Sequence, residues 1–436
     1  MSGFLRRLLG PRSRGGSRRV AEPRLTDVRL VANEPQPGPA LAESDLPRTS
    51  IVVLNYNGRH HLAGCFESLR ELDHPSDRLE VVLVDNGSSD GSVEEVRAEF
   101  AWVKLVENER NAGFSGGCNQ GARTADAPDV LVFLNNDMRV RPDFLRELVS
   151  PIARGECQAT TAKMLSWDGK RINSAGGGMN FHGIGIQKGY EEDPGPEHDR
   201  PSHTLFACGG AMAIAADVFF DVGGFDEEFF AYYEDVDLGW RLWVLGHTAQ
   251  YVPTAVCYHH HSSTSRTFPK ETIRLLQVRN PLLACFKNYD DENLARVLPA
   301  GIALAVRRML LVSGIDDDTP FRIERLDAPD SGVVGRLLDK AKRSVDDHIP
   351  IRRVAAADLI GLNDLLGNWE HWVERRKEVQ DRRRRADEEI FQLFHKPMWC
   401  IEEEDAYREL HYGIARHFGI DRMFEGLTHK GPEPKK

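Results

Sequence analysis

Three short stretches of this chain carry side chains able to do chemistry. The segment "DVLVFLNNDMRV" runs apolar and stops at Asn135-Asn136-Asp137. Its end carries the kind of group that holds a divalent ion, but only one carboxylate of it, and Asn and Asp also favour plain turns. The segment "VCYHHHSS" offers three imidazoles, His259, His260 and His261. On a strand His259 and His261 would share a face, whereas taken alone the triplet reads as an exposed loop. The segment "YYEDVDLGW" supplies Glu234, Asp235 and Asp237 at a helix start. Acidic residues there can cap amides and complement the helix dipole, or one of them can take a proton from a reacting hydroxyl.

The elements that must position these groups begin at "TSIVVLNYNG", where Ile51 to Leu54 is a β-branched apolar run stopped by Asn and Gly. "HHLAGCFESLREL" has helical spacing, "LEVVLVDNGSSDGS" is a second buried strand, "SVEEVRAEF" a second helix, and "VKLVENE" a third strand. "GFSGGCNQGARTA" reads as a Gly-rich turn entering a helix, and "DVLVFLNND" as the fourth strand. This alternation predicts an α/β fold with a mostly parallel central sheet covered on both faces. In such sheets ligands sit beyond the carboxyl ends of the strands. Those ends are polar in three places: Asn55-Tyr56-Asn57, Asp85 through Asp90, and Asn135-Asn136-Asp137. A dinucleotide fingerprint would need its glycines directly after the first strand, where "NYNGRHH" stands instead. "NAGFSGGCNQG" has glycines but lacks the P-loop Lys-Ser/Thr.

Around this block, residues 1–47 are rich in Pro, Gly, Arg and Ser and read as a flexible segment. Its start, "MSGFLRRLLGPRSRGGSRRV", sets Phe4, Leu5, Leu8 and Leu9 among arginines, a pattern that fits either a disordered basic tail or peripheral contact with anionic lipid. Residues 150–270 are less regular, with hairpin-like Gly-rich pieces, and residues 271–436 read as a helical C-terminal extension. The run "NDLLGNWEHWVERRKEVQDRRRRADEEIFQLF" has one long helical pattern laced with opposite charges. Trp369 and Trp372 in it suit core packing or contacts of a homo-oligomer, and Arg382 to Arg385 suit a solvated face or a membrane surface.

Composition narrows the classes further. With 436 residues, 41% hydrophobic and 28% charged, the chain has room for two to three globular domains. A net charge of −11 argues against a nucleic-acid binder. Seven scattered cysteines without C-x-x-C spacing fit reduced thiols of a cytoplasmic protein. No run reaches the roughly 18 apolar residues of a membrane span. The best, "VLPAGIALAVRRMLLVSG", is cut by Arg307-Arg308, and the N-terminus lacks the apolar core of a signal peptide.

Six stretches, "TSIVVLNYNG", "VVLVDNGSSDGS", "NERNAGFSGGCNQG", "FLNNDMRV", "GGFDEEFFAYYEDVDLGWRL" and "PTAVCYHHHSSTS", taken in order over residues 48–290, resemble family 2 glycosyltransferases. They are most similar to rhamnosyltransferase-like members that build bacterial surface polysaccharides. The resemblance implies a GT-A fold over residues 48–270, a nucleotide-sugar donor (dTDP- or UDP-linked), a divalent metal and inversion at the anomeric carbon. It places Asn55, Tyr56 and Asn57 where the first strand meets the nucleotide, and Asp85 at the acidic residue that bonds the base. Arg110, Asn111 and Gly113 match the loop closing over the nucleotide. Asp137 matches the last Asp of the D-x-D motif, whose first position is Asn135 here, so Asn135 and Asn136 are assigned to the donor. The family's base falls on Asp235, with Glu234 and Asp237 beside it. Gly209, Gly210, Asp226, Glu227 and Trp240 fall on the acceptor side.

A donor diphosphate needs charge neutralised on binding and on departure, which Mg²⁺ or Mn²⁺ held by few protein ligands can supply. Because one Asp is a thin anchor, a second ligand is expected from the His triplet. The family spacing from Pro253 points to His259 first, and the strand face it would share with His261 makes His261 second; imidazole with carboxylate suits Mn²⁺ somewhat better than Mg²⁺. The expected acceptor is a cell-wall, polysaccharide or lipid-linked glycan, met in the cytoplasm or at the inner face of the plasma membrane. Two rivals are a non-catalytic scaffold that binds glycans or nucleotide sugars, and a nucleotidyltransferase, which should carry a Gly-rich basic loop after its first strand.

Overall fold

Period-two burial organises the centre of the structure, a computed structural model describing residues 35–36, 38–260, 269–313 and 352–427. Strands β1 (Thr49–Asn55), β2 (Leu79–Asp85), β3 (Lys104–Glu107) and β4 (Val130–Asn135) run parallel in the order β3-β2-β1-β4. They are separated in sequence by α1 (Arg59–Arg70), α2 (Ser92–Glu99) and α3 (Gly113–Thr124). Ile51, Val53, Val81, Leu83, Val132 and Leu134 point to the face shared with Leu62 and Phe66 of α1. Val52, Val82, Val84, Leu131 and Phe133 point to the other, against Cys118 and Ala122 of α3. Both faces being covered explains why these strands read as unbroken apolar runs. Each buried Val, Ile or Leu contributes roughly 1.5–3 kcal/mol.

Parallel pairing without slippage brings the strand ends level. Asn55 lies opposite Asp85, and Leu54 opposite Asn135. Beyond β4 come β5 (Met138–Val140), α4 (Phe144–Ala153), β6 (Ala159–Ser166), β7 (Ile172–Ser174), and β8 (Gly177–Met179) paired with β9 (Gly185–Gln187) in a separate hairpin. Next are β10 (Ser202–His203), β11 (Ala211–Ala215), α5 (Ala216–Asp221), α6 (Glu234–Val244) and β12 (Ala249–His259). The sheet continues from β4 through β11, β6 and β12 to β10. Strand β11 is antiparallel to both neighbours, while β12 runs parallel to β6 with a register shift between Val252 and Val256. Short β5 pairs antiparallel with the end of β12, setting His259 opposite Met138.

The C-terminal region adds α7 (Lys270–Asn288), α8 (Asp291–Ser313), α9 (Arg353–Gly367), α10 (Trp369–Gln380), α11 (Asp387–Ile390), α12 (Asp405–His417) and α13 (Ile420–Met423). Its core joins that of the sheet domain, with Trp240 and Trp243 of α6 packed among Leu282, Phe286, Tyr289, Phe391 and Phe394. Trp372 is buried in the same cluster. None of the helices among the described residues is long and apolar enough to cross a membrane.

Two expectations about this region are corrected. The single long helix read from residue 363 onward is broken: α9 stops at Gly367, Asn368 leaves helical geometry, and α10 ends at Gln380. The run Arg382–Arg385 is not simply a solvated face. Arg382 pairs with Asp221, and Arg383 with Asp387. Arg385 donates to the carbonyls of Trp243 and His247. Helical charge periodicity cannot reveal carbonyls waiting at the end of a distant helix. The basic N-terminal stretch, residues 1–34, lies outside the described residues.

Candidate active site

The polar strand ends form the floor of a cleft of about 460 Å³. Asn55, fully buried, ties three strand ends together. Its Nδ2 donates to Asp85 Oδ1 (2.8 Å) and Ser92 Oγ (2.9 Å), and its Oδ1 accepts from Asn136 Nδ2 (2.7 Å). Asp85, 2% exposed, accepts in addition from the Ser88 amide at 2.8 Å. Three turns that each look ordinary in sequence are thus one hydrogen-bonded plate. Tyr56, Asn111, Gly113, Asn135, Asn136 and Asp137 line the cleft above it.

At one side of the cleft His259 Nε2 lies 3.2 Å from Asp137 Oδ1, both side chains being largely buried. The β5–β12 pairing makes this contact, and the His260 amide reinforces it by donating to the Asp137 carbonyl at 3.1 Å. The His260 ring stacks on Trp167 with centroids 3.7 Å apart. His261 lies outside the described residues. Among the described residues no group of three or more His, Cys, Asp or Glu gathers as a ready-made metal cage. Carboxylate and imidazole side by side do fit a divalent ion that takes its other ligands from phosphate oxygens and water.

Another part of the cleft wall is a loop under backbone strain. Phe230, Tyr232 and Tyr233 have φ of 62°, 67° and 69°; Tyr233 is left-handed with ψ of 1°, at a cost of about 1–2 kcal/mol, and Phe230, with ψ of −63°, sits in the rare and strained γ-turn geometry. The loop feeds directly into α6, so Tyr233 stands at its N-cap and Glu234 and Asp235 in its first turn. Half-buried Asp235 accepts from the Gly209 amide (Oδ2, 3.0 Å) and from the Val236 amide (Oδ1, 2.8 Å). Burial raises its pKa above the ordinary aspartate value despite those two donors. Glu234, 7% exposed, has Oε2 buried without a partner. Burial and the adjacent Asp235 charge push its pKa well above the usual glutamate value. With amide donors on Asp235 and none on Glu234 Oε2, the pair ionises at Asp235 first.

Residues 50–219 match the model for glycosyl transferase family 2. These residues form a family 2 glycosyltransferase domain. The N-acetylglucosaminyl-diphospho-decaprenol L-rhamnosyltransferase of Mycobacterium tuberculosis is 28% identical over 244 residues, covering 50% of this chain and 77% of that protein. The low-salt glycan biosynthesis hexosyltransferase Agl10 of Haloferax volcanii is 28% identical over 200 residues, covering 44% and 60%. Among solved structures, GalNAc-T7 with UDP, GalNAc and Mn²⁺ aligns with a TM-score of 0.48 at 20% identity, covering 61% of this chain and 51% of that one. The protein is a glycosyltransferase, and its mixed sheet with helices on both faces is the GT-A arrangement.

Not every residue assigned to the glycosyltransferase site from sequence reaches the cleft. Gly209, Gly210, Glu234, Asp235 and His259 do. Asn55 and Asp85 lie beneath its floor, Asn57 bonds the Ser89 amide through its side chain at 2.8 Å, and exposed Arg110 is not part of the lining. Asp226 is buried against Lys287 Nζ (2.6 Å) and Arg375 Nη2 (3.1 Å), which hold its carboxyl below the usual range, so an acceptor cannot reach it. Glu227 reaches back to Asn119 and Arg123 on α3. Asp237 is likewise committed, to Arg241, Lys287 and Asn288. Trp240 is fully buried between Tyr289 and Phe394, with centroids at 4.6 and 5.5 Å, and is core rather than an acceptor platform. Periodicity explains this: Trp240 sits on the inward face of α6, beyond the turn that carries the carboxylates.

Other parts of the cleft wall carried no motif. Thr272, Ile273, Leu276 and Gln277 of α7 line it, together with Phe206, Phe230 and Tyr232. The helical periodicity of residues 270–288 does not say which face meets a ligand. One signal was present: Asn280 is a polar residue set in the otherwise apolar stretch "NPLLACF".

Proposed function

We propose that this glycosyltransferase moves a sugar from a dTDP- or UDP-linked donor, rhamnose being one candidate, to a hydroxyl of a cell-wall, polysaccharide or lipid-linked glycan, with inversion at the anomeric carbon. The observation that carries the reading is that the Asp137–His259 pair and Asp235 line one and the same cleft. The strand-end plate of Asn55, Asp85 and Asn136 keeps that floor rigid, and Tyr56, Asn111 and Asn135 face the space above it. The rhamnosyl and lipid-linked choices draw on the name of the mycobacterial relative.

In the proposed reaction the acceptor oxygen attacks the anomeric carbon from the side opposite the diphosphate. Asp235 takes the hydroxyl proton as the new C–O bond forms, and the bond to the diphosphate breaks with its electron pair leaving on the phosphate oxygen. A carboxylate whose pKa is raised by burial is a better proton acceptor than an ordinary Asp. Asp137 and His259 would hold a divalent ion, Mn²⁺ ahead of Mg²⁺, which would supply positive charge to the diphosphate.

Calorimetry with UDP- and dTDP-sugars, with and without Mn²⁺, joined to a turnover screen of the same donors, tests this reading. Metal-linked donor binding with slow release of nucleotide supports it. Binding without any turnover would favour a non-catalytic nucleotide-sugar scaffold, and no binding would remove the reading altogether.

A further inference from the structure

The loop that carries the carboxylates is held from outside by α7. Five consecutive carbonyls, from Glu228 to Tyr232, take donors from other elements. The Glu228 carbonyl accepts from Arg279 Nη2 at 2.6 Å. Those of Phe229, Ala231 and Tyr232 accept from Asn280 Nδ2 at 3.0, 3.1 and 2.7 Å. The Phe230 carbonyl accepts from the Phe114 and Ser115 amides, at 2.6 and 3.2 Å, at the start of α3. Asn280 is fully buried, and its Oδ1 accepts from Arg279 Nε at 3.0 Å, which fixes which way the amide points. Arg279 is anchored in turn on Asp364 of α9 at 2.8 Å.

We propose that Asn280 is a positioning residue of the transferase: its amide gathers three carbonyls of the strained loop and so fixes Glu234 and Asp235 at the cleft. Three residues at positive φ would relax if the carbonyls turned away, and relaxation would move the first turn of α6 that begins one residue later. A donor that bonds several carbonyls at once holds the loop in the one conformation in which they converge. The C-terminal helices thereby take part in the active site without touching the reacting atoms. The consequence for catalysis rests on the proposed role of Asp235, whereas the clamp itself does not.

The experiment compares Asn280→Ala with Arg376→Gln in the full chain. Arg376 bonds the carbonyls of Phe286 and Tyr289, at 2.5 and 2.6 Å, elsewhere in the same helical interface, and so matches the loss of buried bonds without touching the loop. Two readouts are taken: amide hydrogen exchange over residues 228–237, and kcat against donor KM with dTDP-rhamnose or the UDP-hexose that the unaltered protein turns over. Asn280→Ala is expected to speed exchange in the loop by about tenfold or more. It should lower kcat on the order of 10²-fold, with donor KM within about threefold. Arg376→Gln should do neither at equal melting temperature. Unchanged loop exchange, or equal effects of the two variants, overturns the proposal. If Asn280→Ala fails to fold, Arg279→Gln reads the same clamp from its rim, with an expected kcat loss of about tenfold, and an unchanged kcat there overturns it. Faster loop exchange in a protein that transfers no sugar would leave the clamp standing and remove the functional reading instead.

Discussion

His259 Nε2 sits 3.2 Å from Asp137 Oδ1 because the last residue of β12 is delivered by antiparallel pairing to the strand that begins just after Asp137. The site is therefore split across the chain, and its integrity depends on strand register. Asp137→Ala should remove the Mn²⁺-dependent part of donor affinity, weakening binding in the presence of Mn²⁺ by about tenfold or more, or ~1.4 kcal/mol. Asn135→Ala should weaken donor binding only partly. Titration calorimetry at fixed Mn²⁺ measures both.

The paired carboxylates give the enzyme a pH signature. In its proposed role Asp235 would act as a base only when ionised, and its raised pKa should move the acid limb of kcat upward from where an ordinary Asp would set it. Activity should fall as pH drops through that limb. Stability follows Glu234 in the reverse sense. A carboxyl whose folded pKa is raised binds more protons when folded, so its contribution is complete below the unfolded pKa and is lost as pH rises through the folded one. Glu234→Gln should therefore gain stability over the parent as pH rises between those two values, by roughly 1.4 kcal/mol per pH unit, with no gain at low pH. Melting curves recorded across the acid-to-neutral range check the sign.

Gly113 holds φ of +77° where its helix begins, and a Cβ there would run into the Phe230 carbonyl. Gly113→Ala is expected to cost about 2 kcal/mol or more and to displace the strained loop. Chemical denaturation reads the first effect and transfer rate the second.

Trp240→Phe tests the placement of Trp240 in the core. The expected result is a stability loss of about 1–3 kcal/mol with acceptor KM unchanged. A raised acceptor KM at full stability would return this residue to the acceptor site.

What the sequence disclosed follows from what each pattern encodes. The buried parallel strands were legible because both faces of Ile51–Leu54 and Val130–Leu134 are covered, which leaves continuous apolar runs. The polar ends were legible as a group because parallel strands in register must end together. The function of each end residue was less so: Asn55 and Asp85 spend their polar atoms on each other and on Ser88, Ser92 and Asn136, and only the folded arrangement shows it. Asp226 and Trp240 share a motif-rich stretch with Asp235, yet helix phase and the Lys287 and Arg375 side chains carry them into the interior. Asn280 left one faint trace, a polar residue at the head of the apolar stretch "NPLLACF", because its partners are backbone carbonyls, which leave no mark on spacing.

Whether Asp235 accepts the proton is decided by Asp235→Asn, with transfer rate and donor dissociation constant measured on the same preparation. The expected transfer rate is lower by about 10³-fold, with donor affinity within about twofold of the parent. Transfer within about threefold of the parent would contradict that role.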